Sequence, residues 1–179
     1  MILALREHPD GVETAGGNVV VYDIERNEAR YGPTVGHGPA IVWELARRPL
    51  DGAVLNAGVD LDGDLHWLMR CDRVDFPPGG VAHRHTHPGP GIRRLLHGSI
   101  RIETMGEMHI YGPSDAWFEP GPEPVFAVAS ATAETAFVRV LLLPAEWAGR
   151  RTIQYVDPAD EAKPKLQRAT VFLEEPIEL

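Results

Sequence analysis

The stretch that decides the fold is residues 77–87, which read Pro77-Pro78-Gly79-Gly80-Val81-Ala82-His83-Arg84-His85-Thr86-His87. A turn-forming Pro-Pro-Gly-Gly segment leads into three histidines spaced two residues apart. Because side chains alternate between the faces of a β-strand, a strand here predicts all three imidazoles on one face. Neighbours in such a row stand about 7 Å apart at Cα, so at most two are natural ligands of one metal ion. Neutral imidazole suits Zn, Cu, Fe and Ni. The alternative is a solvated strand edge that holds no ion.

The rest of the chain consists of short strand-like segments separated by glycine and proline. The 18 glycines and 16 prolines are spread without a period, and β-branched and aromatic residues fill the segments between them. No helical pattern of ten or more residues separates these segments, which favours an all-β sandwich or barrel over βαβ units. Residues 41–48 fit a strand or a short helix equally well. Strands are predicted near 18–24, 40–45, 53–60, 65–76, 81–87, 92–96, 99–104, 107–111, 124–129, 135–143, 152–156 and 168–173.

The composition excludes several classes of partner. Acidic residues outnumber basic ones 26 to 17, for a net charge of -9, so the average surface repels nucleic acid and anionic lipid. No run approaches the roughly 20 apolar residues of a membrane span. The one cysteine, Cys71, rules out an internal disulfide and a thiolate zinc site. No basic segment precedes the apolar start of the chain, so a signal peptide is not expected. We therefore expect a cytoplasmic protein whose partner is a small molecule.

The spacing around the histidine row resembles the first motif of the cupin superfamily. That motif has a glycine, five residues, His-x-His, three or four residues, a glutamate, six residues and a glycine. Gly79, His85, His87 and Gly98 stand at those places. The resemblance covers about residues 65–143 and implies an all-β, jelly-roll-like antiparallel β-barrel, with the His-x-His side chains pointing into its mouth. It divides the chain into N-terminal strands (1–52), the barrel (53–145) and a C-terminal arm (146–179).

The departures from the motif weaken the metal site that the resemblance implies. The glutamate position is Gly91, and the histidine of the second motif falls on Pro124 or Val125. Of the four protein ligands of a metal-dependent cupin, only His85 and His87 remain, with His83 and Glu119 as further candidates. We therefore expect weak binding, or none, of a divalent transition metal such as Zn, Fe, Mn or Ni.

The inward-facing residues of the strand after the histidines indicate the kind of ligand. Counting by two from Gly91 places Arg93 on the interior face of the next strand, where a guanidinium is a natural clamp for a carboxylate or phosphate. The alternatives are an outward-facing Arg93 or an ion pair with an acid such as Asp115. Trp117 and Phe118, after the Ser114-Asp115 turn, are expected to supply the apolar wall of a substrate pocket.

Two hypotheses of function follow. The first is a small-molecule enzyme acting on an anionic metabolite, metal-assisted where a metal binds, with the dioxygenase or isomerase type of chemistry that the resemblance suggests. The second is a metal-free or non-catalytic module that binds a small carboxylate. A homodimer is also expected, because the apolar residues 167–173 follow the barrel and suit addition to a partner's sheet edge. The alternative is that this arm folds back on its own barrel.

Overall fold

The computed structural model describes residues 1–178, and in them almost all regular structure is antiparallel strand. The all-β prediction is confirmed. Among these residues no helix has the length and apolar character needed to cross a membrane. The segment left open between strand and helix is a strand. The N-terminal sheet has the order β4 (Glu28–Tyr31), β3 (Val19–Asp23), β6 (Ala40–Ala46), β1 (Ile2–His8) and β7 (Leu55–Gly58). Beside it β2 (Val12–Thr14) pairs with β5 (Thr34–Gly36).

Two further five-stranded sheets form the barrel. The central sheet has the order β13 (Ala116–Glu119), β10 (Gly91–His97), β15 (Thr135–Pro144), β8 (Trp67–Phe76) and β17 (Arg168–Pro176). The outer sheet has the order β12 (Glu107–Tyr111), β11 (Ile100–Thr104), β14 (Val125–Ala129), β9 (Val81–Thr86) and β16 (Gln154–Tyr155). Two short 3₁₀ helices, Ala145–Trp147 and Pro158–Ala162, connect the last strands. The predicted antiparallel barrel is therefore present.

The central sheet is covered on both faces, which explains its unusually apolar strands. Nine of the ten residues of β15 are buried, the pattern expected when neither face meets water. One face packs on the N-terminal sheet around Trp43, whose indole Nε1 donates a hydrogen bond to the Ile92 carbonyl at 3.1 Å. The other face packs on the outer sheet around Trp117 and Phe137. Cys71 is fully buried in the first of these cores.

The pairing of two strands, β7 and β17, differs from the predicted domain organisation. Residues 55–58 were assigned to the barrel, but β7 pairs with β1 at the edge of the N-terminal sheet. The C-terminal arm was expected to pair with a partner subunit, whereas β17 pairs antiparallel with β8 of its own chain. Its apolar side chains Phe172 and Leu173 pack on the core between the N-terminal and central sheets. The arm therefore satisfies its backbone within one subunit, and it gives no argument for a dimer.

Candidate functional site

A cavity of about 50 Å³ lies between the central and outer sheets. It has room for roughly four water molecules or a ligand of similar size. Ten apolar side chains line it: Val74, Phe76, Ala82, Ile102, Trp117, Val125, Ala127, Phe137, Ile153 and Ala169. Six polar ones complete the wall: His85, His87, Arg93, Glu119, Arg139 and Gln167. Ile153, Gln167 and Ala169 come from the C-terminal segment, which therefore covers one side of the cavity.

The two histidines of the His-x-His motif meet at the polar end of the cavity. His85 lies near the end of β9 and His87 directly after it, and their Nε2 atoms are 3.2 Å apart. Nδ1 of His85 is 2.7 Å from the carbonyl oxygen of His83, so in the neutral ring Nδ1 carries the proton and Nε2 holds the lone pair. Nε2 of His87 lies 3.3 Å from Nη1 of Arg139, an obligate donor. With its proton on Nδ1, His87 accepts from Arg139 and faces the lone pair of His85, whereas with its proton on Nε2 it donates to Nε2 of His85.

Burial keeps both rings neutral. Desolvation, the largest effect, lowers the pKa of His85, and the nearby His83 carbonyl opposes this in part. For His87 desolvation again comes first, the positive charge of Arg139 adds to it, and the pKa falls well below the usual range. Two imidazoles that are neutral at pH 7 can accept a proton or bind a cation, but they do not by themselves attract an anion.

His83 does not join this pair. Val125 of β14 lies opposite His85 of β9, and Ala127 of β14 lies opposite Ala82 of β9. A step of two residues along β14 therefore corresponds to a step of three residues along β9. The extra residue on β9 is a β-bulge, which breaks the alternation of faces. Ala82 and His85 therefore both line the cavity, whereas His83 does not. The prediction of three imidazoles on one face is wrong for this reason.

Arg93 faces the cavity as predicted, but it is already paired. Its Nη2 lies 2.6 Å from Oε2 of Glu119, and its Nη1 donates to the Gly91 carbonyl at 2.7 Å. Oε1 of Glu119 accepts a hydrogen bond from the Trp117 indole at 2.8 Å. Burial lowers the pKa of Arg93 to about 10, so the guanidinium is still charged at neutral pH. The open alternative of an internal ion pair is the correct one, with Glu119 rather than Asp115 as the acid.

A second buried ion pair, Arg139 with Asp72, was not predicted from the sequence. Nε and Nη2 of Arg139 lie 2.6 and 3.3 Å from the two carboxylate oxygens of Asp72, and Asp72 is 0% exposed. Arg70 also reaches Asp72, at 3.2 Å, and continues to Glu174 of β17 at 3.2 Å. Asp72 thus holds Arg139 so that its remaining Nη1 points at His87. The available signal was a charged residue within an otherwise apolar strand, because such residues need an internal partner.

The two predicted aromatic residues lie on opposite sides of β13. Trp117 lines the cavity and stacks on Tyr111, with ring centroids 4.7 Å apart. Phe118 points the other way and packs on the core between the central and N-terminal sheets. Trp117 is therefore available to a ligand, and Phe118 is part of the core.

The donor set does not fit a resident metal. His nitrogen binds zinc at about 2.0–2.1 Å, so two nitrogens 3.2 Å apart could share one ion. However, Glu119 is engaged by Arg93, and a guanidinium lies next to His87. The motif's other ligand positions are Gly91 and either Pro124 or Val125, none of which has a side chain that binds metal. A side chain at Gly91 would collide with the Val140 carbonyl. Within residues 1–178, no group of three or more His, Cys, Asp or Glu side chains is arranged to hold a metal ion.

No family model matches the sequence, and no curated protein matches it. Solved structures that resemble parts of the chain include an oxalate oxidase in complex with the substrate analogue glycolate, at 18% identity and a TM-score of 0.38, over 44% of this chain and 47% of that one. An RmlC-like cupin from Shewanella frigidimarina matches at 16% identity and a TM-score of 0.40, over 49% and 84% of the two chains. A Cupin 2 conserved barrel domain protein from Leptotrichia buccalis matches at 13% identity and a TM-score of 0.41, over 79% of this chain and 73% of that one.

The matched region spans less than half of the oxalate oxidase chain. At these identities and TM-scores, the likenesses carry no information about the activity of this chain. The structure itself has the antiparallel β-barrel that the sequence predicts.

Proposed function

We propose that this cupin-type barrel binds a small carboxylate in the cavity, without a resident metal. The observation that carries the proposal is the convergence of three nitrogen atoms in an apolar-walled space. Nε2 of His87 lies 3.2 Å from Nε2 of His85 and 3.3 Å from Nη1 of Arg139. A carboxylate placed beside this group would accept a charge-assisted hydrogen bond from Arg139. The apolar wall would contact the carbon end of the ligand.

The charges of the site indicate how an anion would be compensated. Each guanidinium that lines the cavity already has a carboxylate partner, Arg93 with Glu119 and Arg139 with Asp72. An anion added alone would be a buried, uncompensated charge, which is costly. A proton shared between the facing Nε2 atoms of His85 and His87 would restore neutrality. The ligand would therefore enter as an anion together with one proton.

The size of the cavity limits the ligand to a few atoms. Space for about four water molecules suits a ligand of about four to six heavy atoms, such as acetate, glyoxylate or pyruvate. Among catalytic reactions, proton transfer of the isomerase type suits this site. Once the shared proton has left the pair, a neutral imidazole beside a bound acid can act as general base. Dioxygenase chemistry would require a redox metal, and the donor set offers too few ligands for one.

Calorimetric titration tests the proposal. Acetate and acetamide have nearly the same shape and differ in charge, so we expect saturable binding of acetate and none of acetamide. His87→Asn should abolish acetate binding, whereas Arg101→Gln should not, because Arg101 is half-exposed on the outer sheet. Equal binding of both ligands, or acetate binding that survives His87→Asn, would contradict the proposal. Loss of pyruvate methyl protons in D₂O, followed by NMR, would distinguish catalysis from binding alone.

A further inference from the structure

The edge strand β12 is exposed over most of its length. Glu107, Met108, His109 and Ile110 are all classed as exposed, with Met108 at 55% and Ile110 at 68%. Met105, in the turn before the strand, is 69% exposed. Large apolar side chains concentrated on one strand edge are uncommon on the surface of a monomer, and they mark a contact site.

The backbone of β12 is open on one side. All five of its residues pair in unbroken register with β11, and in the described part of the chain β12 has no second neighbour. Natural proteins usually protect such an edge with lysine, proline or a bulge. β12 has none of these. Its outward N–H and C=O groups therefore form a template for another strand.

We propose that β12 pairs antiparallel with β12 of a second copy of this chain, about a two-fold axis at His109. This register uses all five residues and places Met108 opposite Ile110 of the second copy. It places Glu107, the one acidic residue of the strand, opposite Tyr111, whose hydroxyl can donate to a carboxylate. A register centred on Glu107 would instead oppose two like charges, which is destabilising. The sequence of the strand is thus complementary to itself in the centred register.

Such a pair would join the two outer sheets into one ten-stranded sheet. It is a closed, two-fold contact, the commonest kind in soluble oligomers. The contact uses neither the C-terminal arm nor any polar residue of the cavity, so it is independent of the proposed carboxylate binding. It also leaves the cavity of each subunit complete.

Cysteine cross-linking tests the register. Residues directly opposite in an antiparallel pair have Cα atoms about 4.5–5.5 Å apart, within the range of a disulfide. His109→Cys should therefore form a disulfide-linked dimer under mild oxidation. Glu107→Cys is the matched control, because its two copies would be about 14 Å apart, given a rise of about 3.4 Å per residue. The native Cys71 is buried and does not compete. Equal cross-linking of both variants, or none of His109→Cys, would overturn the register.

Light scattering tests the interface itself. The unmodified chain should have twice the 19.7 kDa mass of the subunit, and Met108→Lys and Ile110→Lys should each give a monomer. Val35→Lys is the control, since Val35 is an equally exposed apolar residue, at 63%, on the distant β5. A monomeric unmodified chain, or a dimer that survives both lysine substitutions, would overturn the proposal.

Discussion

Replacing Asp72 with asparagine should destabilise the protein severely. The substitution keeps the shape of the side chain and removes its charge. Arg139 and Arg70, each 5% exposed, would then lose the carboxylate that lies 2.6 and 3.2 Å from them. Breaking a buried ion pair by removing one partner costs about 3–5 kcal/mol. Arg70 keeps its contact with Glu174, so we expect the loss to come mainly from Arg139.

Urea denaturation measures this loss. With a slope of about 2 kcal/mol/M, a loss of about 4 kcal/mol lowers the urea midpoint by about 2 M. Asp75→Asn provides a control on the same strand. Asp75 also pairs with an arginine, Arg73 at 2.8 Å, but its side chain is 41% exposed, and exposed pairs contribute about 0–1 kcal/mol. If Asp72→Asn shifts the midpoint no more than Asp75→Asn does, the argument that Asp72 holds Arg139 in place is wrong.

Three further predictions concern the site. The pKa values of both cavity histidines are lowered on folding, so the unfolded chain binds more protons below pH ~6.5. The free energy of unfolding should therefore fall as pH drops from 7 to 5, by up to about 1.4 kcal/mol per pH unit for each histidine. His87→Asn should flatten that slope in urea titrations; an unchanged slope would exclude His87 as its source. Gly91→Ala should lower the melting temperature by forcing a Cβ against the Val140 carbonyl, unlike Gly63→Ala, which meets nothing within 4 Å. Elemental analysis of untagged protein should find well under one equivalent of Zn, Fe, Mn or Ni; one full equivalent would show that our reading of the donor set is wrong.

The parts of the site that could be predicted are those encoded in local spacing. His85 and His87 are two residues apart and close to a turn, so the strand period alone brings them together. Arg93 was placed on the interior face by the same alternation. These arguments need only the geometry of one strand.

The parts that could not be predicted depend on contacts between distant strands. Asp72 and Arg139 are 67 residues apart and meet only because β8 pairs with β15 in one particular register. The bulge in β9 removed His83 from the row, and nothing in residues 81–87 indicates where the extra residue falls. Phe118 was assigned to the pocket because it follows Trp117, although adjacent strand residues face opposite sides.

In the fold, too, local features could be predicted and features that depend on distant contacts could not. Strand 107–111 and the motif strands were predicted closely, because turns bound them on both sides. β1 was not predicted as a strand, although its apolar residues are among the most buried in the chain. The C-terminal arm was predicted to join a sheet edge, and β17 does pair with β8. Which sheet edge it joins depends on the tertiary structure.

The pH dependence of acetate affinity tests the central claim most directly. If a carboxylate enters the cavity with one proton on the His85–His87 pair, the association constant should fall about tenfold per pH unit between pH 7 and 9. A metal-held ligand would show no such fall, because histidines coordinate in their neutral form and both rings are already neutral at pH 7. Calorimetric titrations at four pH values would distinguish the two. Acetate affinity that falls as pH rises is the predicted result; affinity that is constant or increases with pH would contradict the account.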